Sequence, residues 1–119
     1  MGAPVNTFSK EERICGKKTI SLLMEKGRRG NGSVLRFCWM PASGEQSRIL
    51  VSVPKRHFKR AVKRNLLKRR IREAYRLNKS LLSSTSVDIM FIYSALQVED
   101  YARIEEDVRS ILTKIRDRA

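Results

Sequence analysis

The chain has 119 residues, with 26 Lys or Arg against 12 Asp or Glu and a formal net charge of +14. That length fits one domain spanning 1–119 around one modest core, and a hydrophobic content of 41% excludes the low-hydrophobicity signature of a disordered basic tail. No apolar run approaches the roughly 20 residues needed to cross a bilayer, and the start lacks a signal peptide's basic-then-apolar order; a cytoplasmic protein is expected, with a polyanion as partner.

Residues 1–8 read as a loose leader, and Ser9-Lys10-Glu11-Glu12 fits a capping box at a helix start. The helix is expected to run to Gly27, with Ile20, Leu23 and Met24 on one apolar face. Arg28 to Gly32 reads as a basic, glycine-rich loop. Ser33 to Met40 alternates Leu35, Phe37 and Trp39 against Val34, Arg36 and Cys38, the period of a strand. Pro41 to Ser47 has turn composition, and Arg48 to Val53 alternates again, so a hairpin of these two strands is expected. Pro54 ends the second strand because it has no amide to donate.

Helical spacing resumes from Ala61 to about Leu82, with Leu67, Ile71, Ala74 and Leu81 on one side. Val87 to Tyr93 is apolar on both faces except at Asp88, as a central buried strand would be. Glu99-Asp100 then opens a last helix, whose apolar positions run from Tyr101 to Ile115. The order α-β-β-α-β-α predicts a compact α+β sandwich with helices against one small sheet. Cys15 and Cys38 lack metal-ligand spacing, and one His cannot complete a zinc set with them, so reduced structural thiols are expected.

Twelve cations lie between Lys55 and Lys79 against the single acid Glu73. At about 100° per residue, Asn65, Arg69, Arg72 and Arg76 form a stripe opposite the apolar side. Soluble helices usually interleave acids to relieve such repulsion. An arginine stripe of one sign suits phosphate, because a planar guanidinium holds phosphate oxygens in pairs. A membrane-surface helix would carry Trp or Phe opposite the charge, and a DNA-reading helix-turn-helix would need a helix where Arg48 to Pro54 reads as a strand. RNA is the favoured partner.

The stretch Arg64-Asn65-Leu66-Leu67-Lys68-Arg69-Arg70-Ile71-Arg72-Glu73-Ala74-Tyr75 closely resembles the signature helix of the bacterial ribonuclease P protein family. Val51 to Arg56 resembles that family's strand and basic turn, and Arg13-Ile14 with Gly27 resembles its first helix. The resemblance covers about Phe8 to Ile115. It implies a fold like domain 2 of ribosomal protein S5, with a small mixed sheet and a left-handed β-α-β crossover, a hand that general physics disfavours. It also implies binding to ribonuclease P RNA and to the 5′ leader of precursor tRNA, with cleavage by the RNA using Mg²⁺ that the RNA mainly holds, no metal site in the protein, and no stable protein partner required.

Carried over by position, the resemblance implies RNA contacts at Arg64, Asn65, Lys68, Arg69 and Arg72, and Lys55, Arg56 and Arg76 of the same basic segment are expected to join them. It implies a leader cleft at Arg13, Ile20, Met24, Phe37 and Trp39. Leu66 replaces an arginine of the signature, so one phosphate contact is expected to be lost or taken over by Arg70 or Lys63. Ile20 and Met24 replace aromatic residues, so leader affinity through the protein is expected either to weaken or to shift onto Phe37 and Trp39. A protein-borne nuclease centre is not expected, because half of the acids lie in the last helix as caps or surface partners and His57 is the only imidazole. The alternative reading is a structural RNA-binding protein of ribosomal type.

Overall fold

The computed structural model describes residues 17–42, 44 and 46–118. Along them run α1 (Lys17–Lys26), β1 (Arg28–Asn31), β2 (Leu35–Pro41), β3 (Arg48–Ser52), α2 (Ala61–Asn78), a short 3-10 segment (Lys79–Leu82), β4 (Val87–Tyr93) and α3 (Tyr101–Arg118). The expected N-terminal leader, the capping box, Arg13 and Cys15 lie outside the described residues.

β4 organises the sheet, whose strand order is β1-β2-β4-β3. It pairs antiparallel with β2 and parallel with β3, and α2 makes the crossover between the two parallel strands. Being apolar on both faces, β4 gains most from a central position. This corrects the expected hairpin: β2 and β3 are separated by β4 and do not pair. The α+β class and mixed sheet stand, with one strand more than the sequence reading gave.

That extra strand is β1, which pairs antiparallel with β2 through Arg28↔Trp39 and Gly30↔Phe37. Its residues, Arg28-Arg29-Gly30-Asn31, carry no apolar alternation. What makes them a strand is backbone pairing at a sheet edge, and charged side chains suit such an edge. Gly30 is required by its neighbour, since a Cβ there would lie 2.4 Å from the Phe37 ring.

Strand alternation divides the interior in two. On one face Leu35, Phe37, Trp39, Ile49, Val51, Ile89, Phe91 and Tyr93 pack with Leu67, Ile71 and Ala74 of α2 and with the apolar side of α3. On the other, Cys38 and Met90 pack with Leu23 of α1, flanked by Ile20, Met40, Leu50 and Ile92. α2 ends at Asn78, so Leu81 falls in the 3-10 segment and only borders the core, while Leu82 and Tyr75 are buried in it. Asp88, fully buried in β4, is held in register by Arg48 of β3, with Nε 3.0 Å and Nη2 2.8 Å from its two oxygens. A paired carboxylate is tolerated there where a lone one would be strongly destabilising.

Candidate nucleic-acid interface

α2 is fixed by its inner side, where Leu67, Ile71, Ala74 and Tyr75 are buried. Its first turn carries no acid, and its N-cap, Arg60, makes no side-chain capping bond. The positive end of the helix dipole therefore coincides with the exposed cations Lys55, Arg56, Lys59, Arg60 and Lys63, where an anion would be stabilised.

Among the described residues, the side chains of Lys63, Asn65, Lys68 and Arg69 have no hydrogen-bond or ion-pair partner. Asn65 and Arg69 are exposed, Lys68 and Arg72 half-buried. Two other residues of the expected set are already committed. Arg64 donates from Nη1 to the carbonyls of Phe58 (2.7 Å) and Lys59 (2.8 Å), so it also closes the turn entering the helix. Arg76 forms an ion pair with Glu73 one turn earlier, and hydrogen bonding from Arg76 holds the Glu73 carboxyl below its usual range. The stripe is thus strongest between Lys63 and Arg69 and partly neutralised at Arg76. Arg70, expected beside Lys63 as a substitute for the arginine missing at Leu66, has its Nη1 engaged with the Glu99 carbonyl just before α3.

A second feature lies on the opposite face of the sheet. A cleft of about 330 Å³ opens between the end of α1 and strands β1, β2 and β4, lined by Met24, Arg29, Asn31, Arg36, Cys38, Met90 and Ile92. Arg29 bridges its mouth by donating from Nη2 to the Met24 carbonyl at 2.7 Å. Ile20 packs half-buried beside Leu23, while Met24 is 52% exposed. At the floor, the Cys38 thiol donates to the Leu23 carbonyl at 2.8 Å. Burial pushes its pKa up, and the nearby Arg29 charge only partly opposes this, so the thiol stays neutral and structural.

Of the two strand aromatics expected at the leader cleft, Phe37 borders this one and Trp39 does not line it. Alternation sends residues 35, 37 and 39 toward α2 and α3, and residues 36, 38 and 40 toward α1. Phe37 borders the cleft at Gly30, yet it is only 6% exposed and Trp39 only 4%. The larger core, built by two 18-residue helices, takes the apolar set of β2. The cleft instead receives Arg29, Asn31 and Arg36, which the sequence reading passed over. A lone arginine alternating within an apolar strand was the available sign for Arg36.

The fold and these two surfaces define a class: a small α+β protein with a basic crossover helix and a basic cleft across the sheet from it. The ribonuclease P family model matches residues 8–116, and the chain belongs to that family. It is 34% identical to the ribonuclease P protein component of Porphyromonas gingivalis W83, covering 94% of this chain and 88% of that protein. The Petrotoga mobilis ribonuclease P protein component is 33% identical, covering 92% and 95%. The fold is that of the RNase P protein of Staphylococcus aureus (TM-score 0.76, 23% identity, covering 87% of this chain and 94% of that one). It is also that of the Thermotoga maritima RNase P protein (TM-score 0.76, 22% identity, covering 87% and 96%).

Proposed function

We propose that this chain is the protein subunit of ribonuclease P, a cytoplasmic endoribonuclease whose RNA removes the 5′ leader from precursor tRNA. In this reading the outer side of α2, from Lys63 to Arg69 with the turn at Lys55 and Arg56, grips folded ribonuclease P RNA. The cleft beside α1 takes the single-stranded leader. The observation that carries the reading is the asymmetry of α2: its inner side is locked into the core, while Lys63, Asn65, Lys68 and Arg69 face outward with no partner among the described residues. Such cations release counterions when phosphate replaces solvent, which is the main source of affinity for RNA.

In the cleft, leader bases would meet the Met24 thioether and the guanidinium planes of Arg29 and Arg36, on which bases stack in place of aromatic rings. Bond cleavage is assigned to the RNA with Mg²⁺, which supplies charge neutralisation and an activated water. Among the described residues no three His, Cys, Asp or Glu side chains gather to hold a metal ion. Asp88, Asp107 and Glu73 are instead bound to Arg48, to backbone amides and to Arg76. The test is reconstitution: added to a bacterial ribonuclease P RNA, the full chain should restore leader removal at Mg²⁺ too low for the RNA alone. Absence of stimulation with folded protein and its cognate RNA would reject the proposal.

A further inference from the structure

We infer that a third basic surface, the groove between β1 and the end of α3, binds a second segment of RNA by its phosphodiester backbone. The inference rests on the RNA-binding reading above. The groove encloses about 210 Å³ and is lined by Lys114 and Arg118 of α3 and by Arg29, Gly30 and Asn31 of β1, with Phe37 and Trp39 at its floor; across β1 it adjoins the cleft beside α1, which shares Arg29, Gly30, Asn31 and Phe37. Arg28 stands beside it, its guanidinium carbon 5.6 Å from the centre of the Trp39 ring. A guanidinium held over an indole is oriented by the ring and keeps its N–H edge available for phosphate.

The charge here is uncompensated. Among the described residues Lys114 and Arg118 make no hydrogen bond or ion pair, and Arg28 makes only its contact with Trp39. The nearby acids are spent elsewhere: Asp117 pairs with Arg116, and Asp107 accepts backbone amides of the turn between β1 and β2. Cations in a last turn suit the helix dipole, but that role needs no groove and would not recruit Arg28 from another element. Gly30 keeps the floor low, since a Cβ there would meet the Phe37 ring.

Backbone rather than base recognition follows from the floor. Trp39 is 4% exposed and covered by Arg28, so it offers no open face for a base to stack on. Separateness from the α2 surface follows from topology, because β1 and β3 are opposite edges of the sheet, roughly 14 Å apart at about 4.8 Å per strand. α2 enters from the β3 edge. One phosphate group cannot serve both places.

The experiment uses the full chain and bacterial ribonuclease P RNA, reading the slope of log affinity against log salt for two double variants. Lys114→Gln with Arg118→Gln should flatten the slope by about 1 to 2, at roughly 0.7 to 0.9 per phosphate lost, and should add to the effect of Lys68→Gln with Arg69→Gln. A photo-crosslinker attached at Lys114→Cys, in a Cys15→Ser background, should mark nucleotides different from those marked from Arg69→Cys. If the α2 pair flattens the slope and the groove pair does not, or if both positions mark the same nucleotides, the groove inference is overturned while the RNA reading stands. If neither pair changes the slope, both fall.

Discussion

Asp107 and Ser33, 74 positions apart, are joined where the Asp107 Oδ1 accepts the Ser33 amide at 2.9 Å. The other oxygen of the same carboxylate accepts the amides of Val34 (3.0 Å) and Leu35 (2.9 Å). Asp107 is 6% exposed, so a side chain read from sequence as a surface acid is instead a buried clamp holding the β1–β2 turn against α3. Gly32 is part of the device, since a Cβ there would come within 2.4 Å of both carboxylate oxygens.

Removing the clamp strands three amides. Asp107→Ala should cost at least about 2 kcal/mol, taking roughly 1 to 3 kcal/mol for each of the two buried donors, the Val34 and Leu35 amides, left without an acceptor. That is a large part of the roughly 5–15 kcal/mol that holds a domain folded. Asp107→Asn retains one acceptor oxygen and should cost less. Urea midpoints at unchanged m-value measure both, and an Asp107→Ala midpoint equal to that of the parent chain would show that the turn forms without the clamp.

The commitments within α2 separate its arginines. Arg69→Ala should reduce the salt slope of RNA binding by about 0.7 to 0.9. Arg76→Ala should do less, because Glu73 already offsets that charge. Glu73→Gln removes the offset and should tighten RNA binding, while stability changes little for so exposed a pair. Weaker binding by Glu73→Gln would mean that the ion pair itself orients Arg76 for RNA.

Periodicity made the long elements legible. α2, α3 and β4 each carry a pattern longer than one turn or two pleats, and their inner residues, such as Leu67, Ile71 and Ile111, are buried as that pattern requires. Strand pairing was less visible, because turn composition from Pro41 to Ser47 favours a hairpin whether or not a later strand inserts itself. β1 was hidden for a different reason: Arg28 to Asn31 is held by backbone pairing, which leaves no side-chain signature. In the candidate site the cationic stripe was evident from charge alone. The pairing of Arg76 with Glu73 and the bonds from Arg64 to the preceding turn depend on rotamers and loop path, which spacing does not specify. At the cleft the two expected strand aromatics divide, since Phe37 borders it and Trp39 does not. The alternation of β2 was plain, but which face meets α1 is decided by the two helices that claim the apolar set.

That face assignment separates Arg36 from Trp39. Arg36 is exposed on the α1 side and lines the cleft, so Arg36→Ala should leave folding intact and narrow the preference for precursor tRNA over leaderless tRNA by several-fold. Trp39 is packed against α3. Trp39→Ala should therefore destabilise the domain by about 3 to 5 kcal/mol, whereas Trp39→Phe, which keeps most of the packing, should preserve the preference for the leader. The two properties are measured separately, stability by urea unfolding and preference by competition binding of the assembled RNA–protein complex. Should Trp39→Phe erase the leader preference at near-parental stability while Arg36→Ala leaves it intact, the leader runs over the α3 side of the sheet and the cleft beside α1 serves some other ligand.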